Sequence, residues 1–243
     1  VTASDDNKAK IWSAMETKLL IELKGQTDRV NSAVFSPDGK TIVTAANDST
    51  ARIWDVSNGK LLLVLKDPSD FMSSANYSPD GRHILTTSWD NTARIWNAAD
   101  GKLLMNLGRH SNAVNSAIYS PDGNQIVTTS RDSTAKIWSV GTPSEKAADG
   151  KLLTELKGHS GWVNSAAYSP DGKYIVTASF DTTAKIWDAA TGKMLRELRG
   201  SHTSFVYSAI YSPDGKNIAT TCEDEILRIW NAADGELIAE TAG

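Results

Sequence analysis

Apolar residues come along this chain in short runs separated by turn-forming residues, the pattern of β-strands joined by brief loops. The stretch from Val30 shows one unit whole. VNSAVFS is followed by the turn PDG at Pro37 to Gly39, TIVTAA from Thr41, a tight turn at Asn47 to Ser49, TARIW from Thr50, a turn at Ser57 to Gly59, and KLLLVL from Lys60. These runs predict four strands, here called a, b, c and d. Proline presets the turn backbone, aspartate bonds back to nearby amides, and glycine takes the positive φ that other residues resist. SPDG occurs at Ser36, Ser78, Ser120, Ser169 and Ser212, spaced 42, 42, 49 and 43 residues apart. The Ile-Trp of strand c recurs at Trp12, Trp54, Trp96, Trp138, Trp187 and Trp230, spaced 42, 42, 42, 49 and 43. A period near forty means an array of one supersecondary unit.

Strand a carries Ser-Ala at its middle in all five copies, from Ser32-Ala33 to Ser208-Ala209. Small residues at one fixed place mean close approach, as where radially arranged sheets crowd an axis. The Ile-Trp strand then lies further out, where sheets diverge and a large ring fills the gap. Before Trp12 only strands b and c are present, so the first unit lacks strand a and 23 strands are expected. The seven extra residues behind the 49-residue spacing fall in SVGTPSEKAADG, Ser139 to Gly150, which reads as a solvated loop that absorbs length cheaply.

Composition narrows the function. The formal charge of -4 comes with lysines and arginines scattered through the repeats, so there is no basic footprint and nucleic acid is a poor partner. No run approaches the roughly 18 apolar residues of a membrane helix, and no membrane partner is expected. Cys222 is the one cysteine. It excludes an intrachain disulfide and a cysteine-based zinc site, and suits a reducing compartment, with the cytoplasm as the expected location. The opening VTASDD matches the interior of later repeats, which favours a piece of a longer parent whose other domains are expected partners.

Gly158-His159 before strand a, SPDG, an aspartate in the b–c turn, Trp ending strand c, and Trp-Asp itself at Trp54-Asp55 and Trp187-Asp188 together resemble the WD40 repeat. The resemblance spans essentially the whole chain. It implies an all-β propeller with blades of four antiparallel strands, a innermost and d outermost. The blades are a partial one at 1–24 and full ones at 25–66, 67–108, 109–157, 158–199 and 200–243. Six-fold closure would leave one strand missing, and rings of the family most often have seven blades, which favours part of a larger ring. The resemblance also assigns a hydrogen-bonded tetrad in three blades: His110, Thr128, Asp132 and Trp138; His159, Thr177, Asp181 and Trp187; and, after one inserted residue, His202, Thr220, Asp224 and Trp230. Two sets depart from it: Gln26 with Thr44, Asp48 and Trp54, and Pro68 with Thr86, Asp90 and Trp96. Proline makes no such side-chain bond, so that blade is expected to lose a link.

A threonine, histidine and aspartate within reach invite comparison with nucleophilic triads. The trio repeats in three blades, whereas an enzyme needs one accessible site, so the structural reading prevails and no catalytic residue is assigned. There is no phosphate-cradling GxxxxGK[ST] and no HExxH. The histidines are spread over four blades, with His83 opening a strand b, so neither a metal nor another cofactor is expected.

What the repeat leaves variable is a surface. The residue before the turn aspartate and the residues flanking the first apolar position of strand a line the top face, by the family resemblance. Trp89 and Trp162, the tryptophans outside the Ile-Trp pattern, fall there, with Phe71, Phe180, Phe205 and Tyr207. Equivalent places elsewhere hold polar or small residues, among them Asp5, Asn31, Asn47, Ser73, Ala113, Asn115, Asn164 and Glu223, with Arg29 and Arg131 as candidate partner contacts. Aromatics beside arginine are the makings of an interface hot spot. They point to a non-enzymatic module binding a protein or peptide, a sensor or scaffold in a larger signalling protein. The same rings could instead pack on neighbouring loops, and association through open blade edges is the competing function.

Overall fold

The structure is a computed structural model that describes residues 1–66, 70–141, 148–198 and 202–241. Pro68, most of the insertion between the fourth unit's strands c and d, the residue inserted before His202, and the last two residues lie outside these. The described residues form 23 strands and no helix, so no helix there is long and apolar enough to cross a membrane.

The chain divides into two compact units, residues 1–109 with 142–150, and residues 110–141 with 151–243. In the first, β1 (Thr2–Ala3), β2 (Ala9–Trp12) and β3 (Leu19–Leu23) make a three-stranded sheet. The next sheet is β4 (Val30–Phe35), β5 (Thr41–Ala46), β6 (Thr50–Asp55) and β7 (Leu61–Lys66), followed by β8 (Met72–Tyr77), β9 (His83–Ser88), β10 (Ala93–Asn97) and β11 (Leu103–Leu107). The second unit repeats the plan. It holds β12 (Val114–Tyr119), β13 (Gln125–Ser130), β14 (Thr134–Ser139) and, from Lys151 onward, β15 (Ala148–Lys157); then β16 (Val163–Tyr168), β17 (Tyr174–Ser179), β18 (Ala184–Asp188) and β19 (Met194–Leu198); then β20 (Val206–Tyr211), β21 (Asn217–Cys222), β22 (Leu227–Asn231) and β23 (Leu237–Glu240). Apart from a short parallel pairing of β11 with the start of β15, each of these groups is an antiparallel meander of neighbours in sequence, the build of a propeller blade.

The SPDG turns close as their chemistry requires. Ser36 donates its hydroxyl to Asp38 (2.7 Å) and accepts the Thr41 N–H (3.0 Å), while Gly39 sits at φ +70°. Every strand a has a bulge at its second residue, Asn31, Ser73, Asn115, Asn164 or Tyr207, where the register skips.

The core lies between sheets. Within the first unit, Ile11 and Leu23 cluster with Val30, Ile42 and Trp54 of the following sheet, and Ile53 and Leu65 with Met72, Ile84 and Trp96. Within the second, Trp187 packs on Val127, Ile137 and Leu156, and Trp230 on Val176, Ile186 and Leu198. Trp54, Trp96, Trp187 and Trp230 thus each seal their own sheet to the one before. At about 3–5 kcal/mol for truncation of a buried Trp, these rings carry much of the stability. The Ser-Ala pairs mark close approach: Ser32 Oγ accepts the Ala75 N–H (3.0 Å) and Ser165 Oγ the Ala209 N–H (3.3 Å), each in the next sheet.

The segment Ser139 to Gly150, expected as a solvated loop, is more ordered at both ends. Ser139 ends β14 and Val140 is buried, its N–H bonded to Asn124 O. In the first unit Ala148–Gly150 pair in parallel with Met105–Leu107 of β11, where a side chain on Gly150 would overlap Leu107. The local composition is loop-like, but an unpaired strand edge accepts any extended backbone that reaches it.

Candidate interaction face

A single backbone contact explains why the variable positions meet. In each four-stranded sheet the residue before the turn aspartate donates its N–H to the carbonyl of the residue before strand a. The pairs are Asn47 to Arg29 (2.9 Å), Trp89 to Phe71 (3.1 Å), Arg131 to Ala113 (2.9 Å), Phe180 to Trp162 (2.9 Å) and Glu223 to Phe205 (2.9 Å). The bulged residue of strand a stands beside each pair.

In the first unit this places Phe71 edge-on to Trp89, centroids 5.4 Å apart at 68°. Arg29 lies apart from them, paired with Asp5 at 2.8 Å. Asn31 donates to Asn47 Oδ1 (2.7 Å) and to Met72 O in the next sheet (2.8 Å), so this bulge asparagine is a staple between sheets. Asn115 to Val163 O (2.9 Å) and Asn164 to Tyr207 O (2.7 Å) do the same in the second unit.

The second unit gathers the remaining aromatics into one ladder. Arg131 lies over Trp162, 4.6 Å from the ring centroid. Trp162 stacks on Phe180 (5.5 Å, 26°), Phe180 on Phe205 (4.5 Å, 10°), and Tyr207 meets Phe180 edge-on (5.7 Å, 80°). Trp162 is 41 % exposed and Phe205 40 %. Gly161 makes the first stack possible, since a Cβ there would stand 2.7 Å from Asp181 N and 2.9 Å from the Phe180 carbonyl carbon. Sequence reasoning passed over Gly161 and Ser204. Ser204 donates its hydroxyl to the Glu223 carboxylate, which also accepts from Tyr207 (3.3 Å). The expected partner residues therefore form two groups, Phe71 with Trp89 and Arg131 with Trp162, Phe180, Phe205 and Tyr207.

Beneath this surface lie the turn carboxylates. Trp138 Nε1–H donates to Thr128 Oγ1 (2.9 Å), the Thr128 hydroxyl meets His110 Nε2 (2.7 Å), and His110 Nδ1 meets Asp132 (2.9 Å). Trp187, Thr177, His159 and Asp181 repeat the chain at 2.8, 2.7 and 2.7 Å. A carboxylate only accepts, so each histidine carries its proton on Nδ1 and takes the threonine hydroxyl on Nε2. Burial works against the charged forms of Asp132 and Asp181, but the histidine and threonine donors outweigh it and hold both carboxyls below the ordinary range. Burial likewise lowers His159, against the pull of Asp181.

The third expected tetrad is broken. Trp230 and His202 bond Thr220 (2.9 and 2.8 Å), but His202 Nδ1 is buried without a partner, and Asp224 is taken by Arg228 (2.8 Å). The physical reason is the strand-c cation. Arg228 reaches the carboxylate with two nitrogens, whereas the lysine at the matching place, Lys185, sits closer to Glu197 (2.9 Å) than to Asp181 (3.9 Å) and leaves the hydrogen bond to the histidine in place. Arginine also holds the aspartate in the two sets that depart from the histidine pattern, Arg52 to Asp48 (2.7 Å) and Arg94 to Asp90 (2.6 Å). Gln26 takes the histidine's place at the threonine, as a donor to Thr44 Oγ1 (2.7 Å).

These trios offer no nucleophile to solvent. Thr128 is 1 % exposed and its oxygen already accepts an indole N–H, so no substrate carbonyl reaches it. Among the described residues no three His, Cys, Asp or Glu side chains gather as metal ligands would.

A protein-family model for the WD domain, G-beta repeat, matches residues 17–55, 59–97, 101–139, 150–188 and 192–231. Each matched repeat takes strand d of one sheet and strands a to c of the next, as 17–55 takes β3 through β6. No curated protein matches the chain. Repeats covering most of the sequence, in register with its propeller-like sheets and their buried Ile-Trp strands, make this chain a member of the WD40 family.

Proposed function

We propose that this chain is a non-enzymatic interaction module that binds a peptide or protein segment across the face formed by its b–c turns and d–a loops. WD40 propeller domains are commonly protein-interaction scaffolds and are generally non-enzymatic. The observation that carries the reading is the ladder of Arg131, Trp162, Phe180 and Phe205, four large groups stacked on one another at the surface instead of in the core. Aromatic rings fixed by their neighbours lose little freedom on binding, and Trp, Tyr and Arg dominate interface energetics. The scaffold supplies rigidity from below, through the buried turn networks. Within the first unit the Phe71 and Trp89 pair is a smaller aromatic surface of its own. Trp162→Ala and Phe205→Ala, tested together in a pull-down from the source cell, should lose the partners of the unaltered chain while its melting temperature stays within a few degrees. Retention of every partner by the folded double variant overturns the assignment.

A further inference from the structure

The ladder has unlike ends. At one stands Arg131, held flat on Trp162; at the other, beyond Phe205, stands Glu223, gripped by the hydroxyls of Ser204 and Tyr207. Glu223 makes no ion pair among the described residues, and exposed Glu225 adds a second negative charge in the same turn. The rings between are packed face to face at 4.5 and 5.5 Å, so nothing intercalates and a ligand meets ring edges along the stack. A segment lying there covers both ends. Covering a carboxylate with neutral chain strips its water at a large cost, which an opposite charge offsets.

Resting on the peptide-binding reading above, we propose that the ladder selects an extended peptide of fixed charge polarity: an acidic side chain at the Arg131 end, apolar side chains along Trp162 and Phe205, and a basic side chain at the Glu223 end. Electrostatic complementarity of this kind acts chiefly on specificity and register. It sets the direction in which the segment runs, since the reversed peptide brings like charges together at both ends.

The test is selection from a displayed random peptide library on the immobilised chain. Enriched sequences should carry an apolar centre with an acidic residue on one side and a basic residue on the other. Selection on Glu223→Lys should replace the basic residue with an acidic one, and Phe205→Ala should lower recovery at least tenfold. If ring substitution abolishes recovery but Glu223→Lys leaves the charge pattern unchanged, the polarity is wrong while peptide binding stands. If the unaltered chain enriches nothing, or recovery ignores the rings, both proposals fall. Unchanged melting curves for each variant exclude unfolding as the cause.

Discussion

The sheets β16–β19 and β20–β23 stand next to each other in the second unit and carry the same four residue types at matching places, yet they are wired differently. In the first, Asp181 binds His159 and closes a chain that runs from Trp187 through Thr177. In the second, Asp224 binds Arg228, and His202 keeps a buried ring nitrogen, Nδ1, with no hydrogen-bond partner. One residue on strand c, lysine or arginine, decides which base the carboxylate takes. Arginine wins because its planar fork meets a carboxylate with two donors, while lysine offers a single point charge.

The sharpest break in the comparison is removal of the carboxylate charge. Arg228 is 2 % exposed and would keep only the half-exposed Glu240, 3.5 Å away, so Asp224→Asn leaves a buried cation poorly paired and should cost about 3 kcal/mol. Asp181→Asn should cost about 2 kcal/mol, since Lys185, 3.9 Å from Asp181, keeps its closer partner Glu197 and the loss is mainly of hydrogen bonds. Urea unfolding at neutral pH measures both, and equal costs would mean that the two networks do the same work.

Acid should strike the two sheets unequally. Burial, and then the neighbouring Arg228 charge, push His202 down to about 4, against the opposing pull of Asp224. Its folded value lies below the unfolded one, so the unfolded chain binds the proton first. The stability held at this residue is complete above about pH 6.5 and is lost as pH falls toward 4, a span of up to about 3 kcal/mol. Unfolding free energies across that window should decline in the parent chain and decline less in His202→Gln.

The same substitution separates the wirings at neutral pH. Gln26, with Arg52 on the aspartate, already shows that an amide serves beside arginine. His202→Gln should therefore change stability by no more than about 0.5 kcal/mol at pH 7, whereas His159→Gln, which abandons Asp181, should cost about 1–2 kcal/mol. The smallest effect belongs to the turn itself. Thr182 holds φ +68°, a strained setting for a β-branched residue, and Thr182→Gly should raise stability by about 0.5 kcal/mol.

Much of this wiring was open to reading. AKIW accompanies a histidine, His110 or His159, at Trp138 and Trp187, and ARIW stands where histidine is replaced, at Trp54 and Trp96. The sixth unit pairs histidine with LRIW, and counting residue types alone makes its tetrad look complete. The aromatic positions were legible for a different reason: the repeat fixes every other place, so rings at unfixed places stand out. Their grouping was not. Whether Trp162 stacks on Phe180 depends on the room that Gly161 leaves between two backbones, and whether Phe180 meets Phe205 depends on how adjacent sheets pack.

Strands, turns and the forty-residue period are local properties, set by side-chain alternation and by the φ preferences of proline, aspartate and glycine, and the sequence determined them without help. The partners of groups that several neighbours compete for were decided only by tertiary structure. Trp12 and Trp54 end the same motif, yet Trp54 is 1 % exposed against β2 and β3, and Trp12 is 41 % exposed because no sheet precedes its own among the described residues of that unit. Burial, like the choice between histidine and arginine for an aspartate, depends on what the fold brings alongside.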